Sequence, residues 1–435
     1  MSVHDIALSI KQKGRLLLQV RFLGGAREVG RIGIAVKSEK TQVVLDYGVM
    51  LDPQPGFPMH VPPKDVDAVV LTHSHLDHSG AVPMYFVGGK TRLYANRLNL
   101  DLAQLLIQDF IHLSGYYLPF EYLELKTMMR SNKHLDYGVE ETLGDMRLRL
   151  FDAGHIPGSA QVLIEADGKK LLYTGDFNTA ESKLLNGARM DLGDVDAIIM
   201  EATYANEDHT ERPELEKRFV ESVTETVEKG GTVLVPAFGV GRSQEIACVL
   251  AANHFEYPMV LDGMAREASR IIMNHKEFLR DPKLFIDAMH SAEWVEGWRD
   301  RRRALKTPGV IISTAGMLKG GPAAFYISKL GKKAINSIYL VSYQIPGTPG
   351  KELLEKGICN IDGKIRKIKA HYEHFDFSSH CGASQLKDAL RKVGGKPKVF
   401  VVHGAEGNCE LFATWAKSEL GLEAFAPKTG DVFEI

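Results

Sequence analysis

Short apolar runs, most of them ended by Gly, Asp or His, set the rhythm of the first part of the chain. The runs at 17–23, 41–45, 66–71, 162–165, 170–173 and 197–200 predict strands that feed loops. Leu100, Ala103, Leu106 and Phe110 recur at helical spacing, which predicts a helix over 99–114. From about residue 204 to 369 the pattern changes to helix alternating with continuous apolar strand. Helices are predicted at 214–229 and 243–252, and strands at 232–236, 258–261, 309–313 and 338–341. From about residue 377 the first texture returns, with a helix at 383–393, a strand at 398–402, a helix at 408–420 and a terminal strand. This order predicts an α/β chain in which one domain is interrupted by a doubly wound second one.

The 435 residues allow two or three domains, and a hydrophobic share of 44% supplies their cores. The net charge of -2 excludes a strongly basic nucleic-acid coat but leaves room for a local basic groove. The densest charge run, Arg299 to Arg303, reads as a solvated face. Four cysteines without a CxxC pair exclude a disulfide scaffold and a cysteine zinc finger, and fit a reducing cytoplasm. No run has the ~18 apolar residues of a membrane helix. Residues 1–17 carry Asp5, Lys11, Lys13 and Arg15 and show no signal-peptide core. A soluble cytoplasmic protein is expected.

The 16 histidines change the picture, because they cluster. Thr72-His73-Ser74-His75-Leu76-Asp77-His78-Ser79-Gly80 follows the apolar run 67–71. His73 and His75, two apart in extended chain, point to one side. Asp77 and His78 then fall on the turn that opens a helix. Imidazole and carboxylate together suit zinc or another first-row divalent ion. One such segment cannot fill two coordination shells. His155, Asp176 and His403 each follow a predicted strand and complete a set of seven groups. Seven groups suit two metals sharing a carboxylate, the arrangement that clamps an in-line phosphoryl displacement. Asp46 ends another strand and is placed to orient a ligating histidine through its other N–H.

In this order Asp46, the His73–His78 cluster, His155 and Asp176 resemble motifs one to four of the metallo-β-lactamase fold. Gly24-Gly25-Ala26-Arg27-Glu28-Val29-Gly30 resembles the opening of its RNA-processing branch. Glu201 in Met200-Glu201-Ala202-Thr203-Tyr204, His380 in Phe377-Ser378-Ser379-His380, and His403 in Val402-His403-Gly404 resemble motifs A, B and C of β-CASP nucleases. The resemblance extends from about residue 20 to the C-terminus. It is nearest to archaeal homologues, in the short form without KH domains, of the endonuclease subunit of the cleavage and polyadenylation specificity factor. There are two departures. Cys381-Gly382 follows His380 where the family usually has a small residue and then Asp, and Ala405 replaces the usual acid after Gly404.

The resemblance implies a metallo-β-lactamase αββα sandwich at 1–205 and 373–435, with an inserted α/β β-CASP domain at 206–372. It implies two zinc ions per chain, one on His73, His75 and His155, the other on Asp77, His78 and His403, bridged by Asp176. It implies hydrolysis of single-stranded RNA, endonucleolytic or 5′→3′ exonucleolytic, leaving 3′-hydroxyl and 5′-phosphate ends. His380 would be the general acid and Glu201 its partner. Substrate contacts are expected from Arg242, Ser313, Gly316, Gly320, Gly321, Ser378 and Gly404, where small residues admit phosphates to backbone N–H groups. A homodimer or a larger RNA-processing complex is compatible, and a membrane partner is not expected. The competing readings are a thioesterase-like small-molecule metallohydrolase, which would leave Glu201 and His380 idle, and a DNA nuclease, which a histidine at motif C disfavours.

Overall fold

A computed structural model describes residues 18–51, 55–88, 90–114, 117–361 and 363–435, so the reading of residues 1–17 lies outside the described residues. Two seven-stranded sheets share one core. The first runs, in spatial order, Val432–Glu434, Gln19–Gly24, Gly33–Lys37, Gln42–Tyr47, Ala68–Val70, Arg92–Ala95 and Asn132–His134. The second runs Ala424–Phe425, Lys398–Val402, Ala197–Glu201, Lys169–Tyr173, Ala160–Ala166, Met146–Asp152 and Glu140–Leu143.

The two-residue period of a strand explains the layers. Val43 and Leu45 point into the core between the sheets, together with Ala197 and Ile199 from the second sheet. Val44 points the other way, under the helix Arg97–Leu113. Ile198 and Met200 also point outward, under the helices Ala383–Lys392 and Glu406–Leu420. Each central strand is thus buried on both faces, which is why it reads as a continuous apolar run. Burying one such side chain contributes about 1.5–3 kcal/mol.

A third, six-stranded sheet comes from the middle of the chain, in the order Ala292–Trp294, Met259–Asp262, Gly309–Ser313, Thr232–Pro236, Ser337–Leu340 and His371–His374, with every pairing parallel. Val233, Val235, Val310 and Ile312 fill one face, and Leu234 and Ile311 the other. The first of these clusters also takes Leu98, Leu102, Leu184 and Leu185, so the inserted sheet is seated on the first unit. A two-stranded hairpin, Ile358–Ile361 with Lys364–Lys367, stands apart from the three sheets.

The positions of the strand ends matter most for chemistry. Gln42–Tyr47 and Ala68–Val70 are parallel neighbours in the first sheet. Lys169–Tyr173, Ala197–Glu201 and Lys398–Val402 are parallel neighbours in the second. All five finish at the same edge of the sandwich, where α/β sheets place their ligand sites. The backbone there is close-packed. A Cβ on Gly48 would lie 1.6 Å from the Asp77 carbonyl oxygen. Gly48→Ala must therefore push the Asp77–His78 turn aside. It should lower stability by at least about 1–3 kcal/mol and release metal. Thermal denaturation and elemental analysis check both effects, and wild-type metal content in a folded variant would contradict the expectation.

Candidate metal centre

Asp46 sits in the left-handed region at φ 54°, a conformation that costs a non-glycine residue about 1–2 kcal/mol. Its buried carboxylate accepts hydrogen bonds from Thr72 N (2.7 Å), Thr72 Oγ1 (2.7 Å), His78 Nδ1 (2.8 Å) and Tyr173 Oη (3.0 Å). This fixes the start of the 72–80 segment and the tautomer of His78, whose proton is on Nδ1 and whose lone pair is on Nε2. The same logic repeats around the site. The Thr72 hydroxyl donates to Asp46, so it accepts from His73 Nδ1 (3.1 Å). The Ser379 carbonyl can only accept, so His155 Nδ1 donates to it (3.0 Å). The Thr203 hydroxyl donates to the His403 carbonyl (3.0 Å) and faces His403 Nδ1 at 3.2 Å.

These partners leave the Nε2 lone pairs of His73, His78 and His155 aimed inward, while His75 and His403 turn Nδ1 toward His155 and Asp176. His73, His75 and His78 Nε2 and Asp176 Oδ1 are buried without a hydrogen-bond partner, an arrangement that is costly unless another group satisfies it. Asp176 stands at the middle. Its oxygens lie 3.7 Å from His73 Nε2, 3.4 Å from His78 Nε2, 3.8 Å from His155 Nε2 and 3.2 Å from His403 Nδ1. His155 Nε2 is 3.2 Å from His75 Nδ1, and His403 Nε2 is 3.4 Å from Asp77 Oδ2. Two donors of one tetrahedral ion, each about 2.1 Å from it, lie roughly 3.4 Å apart. The groups His73-His75-His155, His73-His78-Asp176 and Asp77-His78-His403 each converge tightly enough to hold an ion. Two more groups, His155-Asp176-His380 and Asp176-Glu201-His403, converge as tightly, so Asp176 belongs to three of the five and the residues fit metal ions.

The electrostatics divide the rings: burial lowers His78 and His403, but the carboxylates beside them, Asp176 first, outweigh it and raise both above the ordinary histidine range. Burial, reinforced by the neighbouring imidazoles, pushes His73 and His155 well below the ordinary histidine range and His75 down to about 4. These rings are neutral and ready to ligate. Burial opposes ionisation of Asp176, but the surrounding histidines, His403 first, outweigh it and hold the carboxyl well below its usual range.

The motif A and B residues join the same site. Glu201, buried at the end of its strand, accepts from Phe177 N (3.2 Å), Thr203 N (3.1 Å) and His380 Nδ1 (2.7 Å). His380 Nε2 is 4.0 Å from Asp176 Oδ2. Burial lowers the pKa of His380, but the Glu201 carboxylate outweighs burial and brings it up to about 9. Cys381 is buried behind this pair and accepts from Thr179 N (3.3 Å).

The expected substrate residues are less closely gathered. Arg242 opens the helix Arg242–Ala252, and its guanidinium donates to Ser379 Oγ (3.1 Å) while Nε is left without a partner. It lines a cavity of about 30 Å³ shared with His75, His155, Phe238 and Ser379, with room for two waters at most. Ser378 Oγ accepts from His380 N (3.1 Å), so it shapes the loop that carries His380. Ser313 is fully buried and bonds to its neighbour's carbonyl, and buried Gly316 packs on Ala237 and Phe238. Gly320 and Gly321 lie in a more open turn, while Gly404 sits against the Ala202 carbonyl. Thr72, Tyr173 and Thr203, which orient the ligands, carry no short-range sequence signal.

Fold and donor set together define a metal-dependent hydrolase of metallo-β-lactamase type. Residues 34–212 match the metallo-beta-lactamase superfamily, 243–353 the Beta-Casp domain, and 365–427 the Zn-dependent metallo-hydrolase RNA specificity domain. The chain is 41% identical to RNase aCSPSF2 of Saccharolobus solfataricus, over 96% of this chain and 85% of that one. It is 33% identical to Probable RNase MJ4 of Methanocaldococcus jannaschii, over 96% of this chain and 100% of that one. It is also 33% identical to transcription termination factor FttA of the same organism, over 97% and 72%. A crystal structure of a protein of unknown function from Enterococcus faecalis V583 shares the fold, with a TM-score of 0.64 at 14% identity, covering 97% of this chain and 100% of that one. The chain belongs to the β-CASP family of metallo-β-lactamase-fold proteins.

Proposed function

We propose that the chain is a zinc-dependent ribonuclease that hydrolyses single-stranded RNA at a two-metal centre. The observation that carries the reading is the Glu201–His380 pair. When His73, His75 and His155 form one ligand set, and Asp77, His78 and His403 the other, with Asp176 between them, His380 is left over as a proton carrier. Divalent cations bound there supply Lewis-acid stabilisation of phosphoryl oxygens and activate water for in-line attack. The chain does the rest. Asp46, Thr72, Thr203 and the Ser379 carbonyl hold the ligand rings in orientation. Glu201 keeps the proton of His380 on Nδ1 and favours the imidazolium, so that Nε2–H can protonate the leaving 3′ oxygen. The ends produced are 3′-hydroxyl and 5′-phosphate.

The relatives named as RNases support RNA as substrate. Four buried free thiols suit a reducing cytoplasm, and among the described residues no helix is long and apolar enough to cross a membrane. The division into 1–205 plus 373–435 around 206–372 belongs to the same proposal. The inserted sheet itself runs on to His374.

His380→Ala should lower RNA cleavage by about 10²–10⁴-fold, the usual contribution of general-acid catalysis, with metal content unchanged. Full activity in that variant would sink the assignment. RNA labelled at one end, with 5′-monophosphate and 5′-triphosphate forms compared, separates single nucleotides released from the 5′ end from discrete internal fragments.

A further inference from the structure

Six cations gather at the end of the inserted sheet away from the metal centre. Lys332 and Lys333 lie in the turn that follows the helix Gly321–Leu330. Lys369 N donates to the Gly331 carbonyl (2.7 Å), which brings the second group beside them. That group is Lys364, Arg366 and Lys367 on the outer strand of the hairpin, plus Lys369 itself. Among the described residues the strand Lys364–Lys367 pairs only with Ile358–Ile361, and all four of its residues are exposed, Ile365 at 69%.

None of the six makes an ion pair with a described residue, Asp362 lying outside that set. The acids of the flanking elements are already engaged, Glu352 by Lys356 (3.5 Å), Glu355 by Lys351 (3.5 Å) and Glu373 by Arg218 (3.0 Å). The Arg299–Arg303 run, denser in sequence, differs. There Arg301 is spent on Asp262 (2.8 Å) and Arg303 on Glu293. In a chain with 53 basic and 55 acidic residues, an uncompensated cluster of six is a local field rather than a share of a general one.

The topology links this cluster to the site. Lys332–Lys333 and Lys369 precede the amino ends of Ser337–Leu340 and His371–His374. The segment to His380 leaves from the carboxyl end of the second of these strands. At about 3.3 Å per residue, the cluster lies on the order of 20 Å from the centre. The connecting path is the edge strand, with His371 and His374 exposed along it.

We propose that this cluster is an RNA-backbone exosite that holds the phosphates of a single strand already engaged at the metal centre. The proposal rests on the ribonuclease reading and extends it. Contacts of this kind are independent of sequence and sensitive to salt. The test is the full-length, metal-loaded enzyme carrying Lys364→Glu, Arg366→Glu and Lys367→Glu. Hydrolysis of a dinucleotide, which reaches only the centre, should be unchanged. KM for a long single-stranded RNA should rise on the order of tenfold at low salt. The slope of log affinity against log salt, measured in a His380→Ala background, should shrink by about 0.7 for each phosphate released.

A triple variant with wild-type KM and salt slope, in an enzyme that does cleave RNA, overturns the exosite alone. A wild-type enzyme that neither binds nor cleaves RNA overturns the parent reading with it. Lysines also protect exposed strand edges from pairing. If the variant self-associates while its RNA affinity stays normal, edge protection is the role and the exosite fails. Loss of binding to anionic vesicles with RNA affinity intact would overturn it in favour of a membrane surface.

Discussion

Asp176→Asn should lose RNA cleavage by at least ~100-fold and lose bound metal with it. The substitution is nearly isosteric, so the buried site stays packed while its central charge disappears. Five histidine rings, His73, His78, His155, His380 and His403, have a nitrogen within 3.2–4.0 Å of the Asp176 oxygens. An amide carries no charge to balance bound cations and replaces one of the two carboxylate oxygens with an NH2 group that does not ligate metal. Changes to groups that merely orient a ligand cost 10–100-fold in metal affinity, so the shared carboxylate should cost more. Elemental analysis of the purified variant and a single-turnover assay read the two effects separately. A variant that keeps wild-type metal content would show that Asp176 is not a shared ligand.

Asp46→Ala should have the largest effect on folding of any single change at this site. The carboxylate touches no substrate in the proposed mechanism, yet it accepts four hydrogen bonds, three of them from side chains. Removing one partner of a buried charged network costs about 3–5 kcal/mol. His78 would also lose the bond that keeps its lone pair on Nε2. A lowered melting temperature together with a 10–100-fold weaker metal affinity is the expected result. Tyr173→Phe removes one bond of the four and is the graded control, expected near the 0.5–1.5 kcal/mol of a single hydrogen bond. Equal losses in the two variants would mean that Asp46 acts through something other than this network.

The candidate site was legible in the sequence to the extent that it depends on strand ends. The segment 73–78, Asp176, Glu201 and His403 all terminate apolar runs or begin within three residues of their ends, and a buried parallel strand announces itself by such a run. The orienting partners were not legible. Tyr173 meets Asp46 across 127 positions and Thr203 meets His403 across 200, and no local pattern encodes a contact at that range. Ser313 was expected at the substrate from the family resemblance of its segment, but its side chain is fully buried and bonds to the Thr314 carbonyl. The hairpin Ile358–Ile361 and Lys364–Lys367 escaped because its outer strand buries nothing, which leaves no apolar alternation to read. The Arg299–Arg303 run looked like uniform solvated charge. Only the fold shows two of its arginines turned back onto acids.

The order of the strands has a further consequence for biosynthesis. Six of the seven inward-facing metal-binding candidates lie before residue 177, but His403 follows the strand Lys398–Val402, which is added beside Ala197–Glu201 after the whole inserted sheet. The terminal strand Val432–Glu434 then closes against Gln19–Gly24. On the proposed assignment, a nascent chain therefore acquires both its proton donor, His380, and its seventh metal-binding group, His403, only after the inserted sheet has been made.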